Sequence, residues 1–289
     1  MRTVQSILVL ADRSTEAQSA LRKASLLARH FRAQIDLFSC DTDHAWAVGL
    51  ERQSPAARKV LDDCLAESHR YLNALRSSIP AADLRISTSA SCAAALPEGV
   101  AQRVRDWRPD LVVKNLADGL PEPRPPQALD MQLIQAARVP MLWIRGRAWR
   151  PVPKITVALD LLSEDRALTR SVLETAECLA LGCHGELTIV HCLAPGSQQT
   201  VAGTMGLSDR AQATCDWLGL SPDRLQISTV NPVATFGVGG SHSGMDVLVL
   251  GGVQPTAWEQ GRPTTTEDLL SVLESDVLLV PRHRHGVIH

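Results

Sequence analysis

The second half of this sequence answers the first, strand for strand, and that internal match limits the folds open to the chain. Ser6–Leu21 (SILVLADRSTEAQSAL) aligns with Lys154–Leu168 (KITVALDLLSEDRAL), which brings Asp12 onto Asp160. QIDLFSC ending at Cys40 answers ELTIVHC ending at Cys192. Pro109–Val113 answers Met245–Val249, and Val139–Ile144 answers Asp276–Pro281. The separation falls from 148 positions (Ser6 to Lys154) to 136 (Pro109 to Met245), so the second copy is shortened in between, where Ser197–Leu220 is brief and Gly237–Gly244 is glycine-rich. The 289 residues are thus expected to form two domains of ordinary size, 1–147 and 154–289. Residues 148–153 are the expected linker, within the proline-rich and basic stretch Arg145–Pro153.

Within the first copy, short Val/Ile/Leu runs without polar alternation predict strands buried on both faces, as in a parallel sheet covered by helices. These are Ser6–Ala11, Gln34–Ser39, Asp83–Ser87, Asp110–Lys114 and Val139–Ile144. Ala17, Leu21, Ala24, Ala28 and Phe31 share one helical face, and Thr15 with Gln18 reads as a capping box. Further helical patterns cover 54–79, 95–107 and 129–137. The order is β-α-β-α-β-α-β-α-β, the signature of a doubly wound α/β fold.

Composition narrows the function classes. With 45% hydrophobic and 21% charged residues the chain is of the soluble globular kind. Lys and Arg number 29 against 31 Asp and Glu, a net charge of -2, so there is no basic field to attract nucleic acid. Aromatics are 3% of the chain, too few for a base-stacking platform. The seven cysteines contain no Cys-x-x-Cys pair, which argues against a disulfide framework or a zinc ribbon. The apolar run Ile7–Leu10 is too short for a signal segment, and nothing approaches a bilayer-spanning length; a cytoplasmic location is expected.

At the repeated residues the chain resembles the universal stress protein family, in particular its tandem E-type branch, over nearly its whole length. The strand-end aspartates Asp12 and Asp160 carry the resemblance, with Leu111–Lys114 (LVVK) at the fourth strand. Ala128–Leu133 (ALDMQL) is similar to a Pro-Leu-Asp helix start of that branch, and Leu273–Leu279 (LESDVLL) to its last strand. The resemblance implies two tandem doubly wound, Rossmann-like α/β domains. Each would be a five-stranded parallel sheet of order 3-2-1-4-5 with helices on both faces, the two pairing through their fifth strands; a homodimer is the expected assembly. That order puts the ends of strands one and four side by side at the switch point, where ligands of open α/β sheets bind.

In nucleotide-binding members the first-strand aspartate region holds adenine and ribose. A Gly-x-x-Gly, followed nine residues later by Gly-Ser or Gly-Thr, cradles the phosphates at a helix N-terminus. This sequence departs from that pattern in both copies. In the second, Gly251-Gly252-Val253-Gln254 keeps the first glycine and replaces the second, Thr264-Thr265 stands for the later pair, and Pro255 and Pro263 intrude. Thr264 and Glu267 also form a capping box, which would satisfy the helix end internally. In the first copy Lys114–Gly119 is followed by the proline-rich Leu120–Gln127, and no phosphate loop is readable.

The candidate binding residues are therefore Ala11, Asp12 and Lys114 in the first copy, and Leu159, Asp160, Cys192, Gly251, Gly252, Val253, Thr264 and Thr265 in the second. Asp12 and Asp160 either face a ligand or cap the turn after the strand. Lys114 either meets an anionic group or pairs with Asp118. Cys92, ahead of a helix start, is either an activated thiol or a buried inert one. Cys183-His184 and His191-Cys192 offer metal-ligand types, but neighbours on a strand face opposite ways, so no metal is expected there. The histidines of the tail Arg282–His289 could take up adventitious metal, and Trp143 and Trp149 are expected to pack between the halves. No catalytic residue is assigned and no cofactor is expected, ATP or AMP having weak support. The expected function is a non-enzymatic stress-response protein that binds a small or amphipathic ligand, or a protein partner, at its strand-end clefts, its ATP motifs having degenerated. The alternative is an ATP-binding protein or slow ATPase switch using the second cleft; a scaffold whose clefts are filled by its own side chains is a third reading.

Overall fold

The computed structural model describes residues 3–13, 18–51, 53–80, 83–116, 128–192, 200–201, 204–205, 209–228, 232–237, 239–241, 244–251 and 265–282. The chain divides into two compact units, one of Arg2–Leu120 with Gln127–Gly146 and one of Arg147–His289.

The first unit runs β1 (Ser6–Leu10), α1 (Ser19–Phe31), β2 (Gln34–Asp41), α2 (Ala45–Leu50), α3 (Pro55–Ser77), β3 (Arg85–Cys92), α4 (Leu96–Trp107), β4 (Leu111–Asn115), α5 (Ala128–Ala137) and β5 (Met141–Ile144). It is a Rossmann-like α/β arrangement of parallel strands and helices. β1 lies between β2 and β4, β3 pairs beyond β2, and β5 beyond β4. Every residue of β1 is buried, with Ile7, Leu8 and Val9 at 1% exposure or less. A strand buried on both faces must be apolar throughout, and each such side chain contributes about 1.5–3 kcal/mol.

Alternation along β2 places the covering helices. Cys40 faces α4, where a Cβ added to Gly99 would lie 2.3 Å from its sulfur, while Asp41 faces α3. Asp36, on the α4 side and fully buried, accepts from Arg103 Nε of α4 at 2.8 Å and from the Ser87 and Ser89 hydroxyls of β3. The polar alternation Ser87, Ser89 thus serves a buried carboxylate, and β3 extends to Cys92, five residues past its expected end. α2 was not legible as a helix; its first turn is anchored by Asp41 Oδ1, which accepts the His44 backbone N–H at 3.2 Å. The Thr15–Gln18 capping box lies partly outside the described residues. Gln18 sits at φ 46 with no side-chain cap bond, and the Ala20 N–H is received instead by Asn115 Oδ1 from β4, at 2.7 Å.

The second unit runs β6 (Lys154–Ala158), α6 (Arg166–Gly182), β7 (Glu186–Cys192), a short hairpin of β8 (Thr200–Val201) and β9 (Thr204–Met205), α7 (Asp209–Leu218), β10 (Leu225–Ser228), α8 (Pro232–Phe236), β11 (Val247–Gly251), α9 (Thr265–Val272) and β12 (Asp276–Val280). β6 lies between β7 and β11, β10 pairs beyond β7, and β12 beyond β11, all parallel. No helix among the described residues is long and apolar enough to cross a membrane.

One polar device occurs in both units. Asp110, just before β4, accepts the backbone N–H groups of Gln5 and Ser6 at 2.8 and 3.0 Å and the Ser6 hydroxyl at 2.9 Å. Asp246, its counterpart before β11, accepts the Lys154 N–H at 2.8 Å and Arg150 at 3.0 Å. Each carboxylate ties the start of its unit's central strand to the next strand. The stretch read as a linker is held to the second unit by the same means, since Trp149 Nε1 donates to Asp276 at 2.7 Å and Arg147 pairs with Glu274. Trp143 is fully buried within β5. Asp110→Ala and Asp246→Ala are each expected to destabilise their own unit by about 2 kcal/mol, because a charged acceptor of strand-start N–H groups is lost. Urea titrations followed by circular dichroism and tryptophan fluorescence check this.

Candidate strand-end sites

In the first unit, Leu10 and Lys114 are register partners, so the chain after β1 and the end of β4 meet as the doubly wound order requires. Ala11 donates its N–H to the Phe38 carbonyl at 2.8 Å. The Asp12 carbonyl accepts from Tyr71 Oη at 2.9 Å and from Gln18 Nε2 at 2.8 Å. Beside it, Arg13 pairs with Glu67 at 2.9 Å, donates to Ser68 at 3.0 Å and lies 5.1 Å above the Tyr71 ring. Three side chains of α3 therefore clamp the loop after β1. Burial pushes the Tyr71 phenol above its ordinary range, so it remains a donor to Asp12.

Lys114 is committed to partners within its own unit. Its ammonium pairs with Asp130 of α5 at 2.8 Å and donates to the Asn115 carbonyl at 2.9 Å. Asp118, the partner considered from sequence, lies outside the described residues. The next side chain along β4, Asn115, faces the other way and caps α1; its Nδ2 is buried with no partner among the described residues. Asn115, Tyr71 and Asp130 are the site residues that sequence reasoning missed. A polar residue closing the apolar run LVV was the available signal for Asn115.

In the second unit, Leu159 and Asp160 follow β6, Cys192 ends β7 and Gly251 ends β11, so these four meet at three adjacent strand ends. Asp160 is exposed, and its carboxylate accepts the Leu162 N–H at 3.0 Å, which is the turn-capping role. Asp165 caps α6 through the Leu168 N–H at 3.0 Å and is paired with Arg282. Cys192 is placed beside Thr235 at 3.7 Å, and Thr235 bonds Ser228 at 2.7 Å; burial raises the Cys192 thiol, so it is a poor nucleophile. A Cβ on Gly251 would meet Leu168 and Val172 of α6 at 3.4 Å, so this glycine lets the helix pack on the strand end. Gly252, Val253 and Thr264 lie outside the described residues, and Thr265 opens α9.

His191, buried in β7, is the chemical exception. Its Nδ1 lies 3.0 Å from the Leu159 carbonyl, which can only accept, so Nδ1 carries the proton. Nε2 is then a bare acceptor, buried and with no partner among the described residues. The neighbouring pair Cys183-His184 makes no metal cluster among the described residues, and burial pushes the Cys183 thiol up to about 12.

Lys114→Met is expected to cost ~3 kcal/mol by removing the cation that pairs with the buried Asp130 carboxylate, and Lys114→Met/Asp130→Leu to recover most of it. Chemical denaturation of both variants against wild type measures the coupling.

No family model matches the sequence, and no curated protein matches it. Solved structures do resemble it. A universal stress protein from Archaeoglobus fulgidus DSM 4304 is similar over 96% of this chain and 98% of its own, with TM-score 0.68 and 12% identity. A functionally unknown protein from Pseudomonas aeruginosa PAO1 is similar over 96% of this chain and 92% of its own, with TM-score 0.67 and 21% identity. At such identities the shared property is the backbone arrangement: the chain has the tandem α/β fold of the universal stress proteins.

Proposed function

We propose that the protein is a non-catalytic, stress-response member of the universal stress type that binds a small ligand at the strand ends of its second unit, its phosphate-holding motif having degenerated. The observation that carries this reading is the contrast in spare polar groups. Arg13 and Lys114, the cations at the first unit's strand ends, are committed to Glu67 and Asp130, and the buried group left over there is the Asn115 Nδ2 donor, whereas the second unit keeps the buried Nε2 of His191 as an acceptor beside Leu159. A ligand with a hydrogen-bond donor would satisfy that atom, and burying it unsatisfied costs roughly 1–3 kcal/mol. The motif supports weak nucleotide affinity at most, since Gln254 and Thr264 stand where glycines would let backbone N–H groups approach phosphate. Among the described residues, Asp160 holds its own turn and Asp165 caps α6, so neither is free to position a metal for phosphoryl transfer. A cytoplasmic location and a homodimeric assembly belong to the same reading.

Calorimetry on nucleotide-free protein is expected to give no low-micromolar ATP affinity, and phosphate release is expected to be the same background for wild type and Asp160→Ala. Tight ATP binding, or release abolished by Asp160→Ala, would overturn the proposal. Native mass spectrometry of gently purified protein is expected to show a bound small molecule that survives Lys114→Met and is lost in His191→Phe.

A further inference from the structure

The first unit gathers a second set of chemically capable side chains away from the β1 and β4 ends. Asp41 ends β2 and Cys92 ends β3, and the two are register partners on adjacent parallel strands, so their side chains leave the same face of the sheet. α3 packs on that face and brings Cys64 down to them, its sulfur 3.5 Å from that of Cys92. His44, three residues beyond Asp41, turns its ring back, with Nδ1 3.0 Å from Asp41 Oδ1. Donor atoms of Asp41, His44 and Cys64 all lie within 4.8 Å of one another.

We propose that Asp41, His44, Cys64 and Cys92 form a binding site for one zinc ion. Metal–ligand bonds of about 2.0–2.3 Å at tetrahedral angles hold donor atoms about 3.3–3.8 Å apart, and the sulfur–sulfur and nitrogen–oxygen separations here need only small adjustments to meet that spacing. Two thiolates, an imidazole and one carboxylate make a set that suits zinc and disfavours magnesium or calcium, which take oxygen ligands. The surroundings fit a closed site. Cys92 packs against the apolar cluster of Ala47, Ala57 and Leu61 from α2 and α3, while the Asp41 and His44 side chains, 15% and 40% exposed, leave a route from solvent.

The metal-free contacts show what the ion would replace. Burial alone would raise the Asp41 carboxyl, yet bonds from His44 and the Cys64 thiol bring it below its usual range. Burial pushes the Cys64 thiol up to about 12, so its proton is held until a cation displaces it. Binding therefore releases the protons of both thiols to solvent, and no oxidant or reductant takes part. Cys40 lies outside the set, because it projects from the opposite face of β2 against Gly99.

The test is a cobalt(II) titration of the reduced full-length protein, followed by zinc. One equivalent per chain is expected to produce thiolate-to-cobalt charge-transfer absorption in the near ultraviolet and tetrahedral bands in the visible, both erased by zinc. Cys64→Ser and Cys92→Ser are expected to lose the charge-transfer band, and Cys40→Ser to keep it. A readout without variants is alkylation of the wild type mapped by mass spectrometry, in which zinc slows labelling of Cys92. A spectrum with imidazole ligation only, as the histidines of the C-terminal tail would give, would overturn the proposal. So would a thiolate band retained in both serine variants, or Cys92 labelling indifferent to zinc.

Discussion

Burial of β1 on both faces sets the terms for everything else in the first unit. A strand with no exposed side chain cannot be polar at any position, and parallel neighbours cannot be joined by tight turns, so each return crosses the sheet through a helix. The C-terminal ends of the strands then collect along one edge. Ala11, Asp12, Lys114 and Asn115 meet there although about 100 residues separate the two pairs, and Leu159, Asp160, Cys192 and Gly251 meet by the same logic in the second unit. Where the fold concentrates residues, polar atoms must find partners or a ligand, and the two units settle that demand differently. The first uses Asn115 to cap α1 and Asp130 to hold Lys114. The second spends Asp160 on its own turn and leaves an imidazole acceptor over, where the first leaves the Asn115 amide donor.

The duplication also survives in places that have nothing to do with ligands. Asp110 and Asp246 receive the starting N–H groups of β1 and β6 through the same geometry. This structural aspartate has kept its role in both copies, while the strand-end residues have diverged. Stability at the strand starts and chemistry at the strand ends are therefore separable in this fold, as expected where sites are carried on loops beyond a rigid sheet.

Most of the architecture was legible because burial on both faces writes itself as an uninterrupted apolar run. SILVL, LVV and VLVL needed only that rule. The misses share a different cause, long-range polar partnership. Thr15 looked like the cap of the first helix, but Asn115, 95 residues away from Ala20, supplies it. Lys114 looked available because Asp130 is invisible as its partner until α5 is laid across the sheet. Cys92 could be weighed only as a lone thiol, because strand register with Asp41 and the approach of Cys64 are tertiary facts. Asp160 left two readings open in the sequence, and the hydrogen bond to Leu162 favours the turn cap.

The central claim is that the first unit's strand-end cations are held by its own carboxylates and that a ligand engages the second unit. Hydrogen-exchange mass spectrometry with and without millimolar ATP tests it most directly, because it reports both strand-end clusters in one experiment. The account predicts that added protection is confined to peptides covering Leu159–Asp160 and His191–Cys192. Protection at Ala11–Asp12 and Lys114–Asn115 would contradict it.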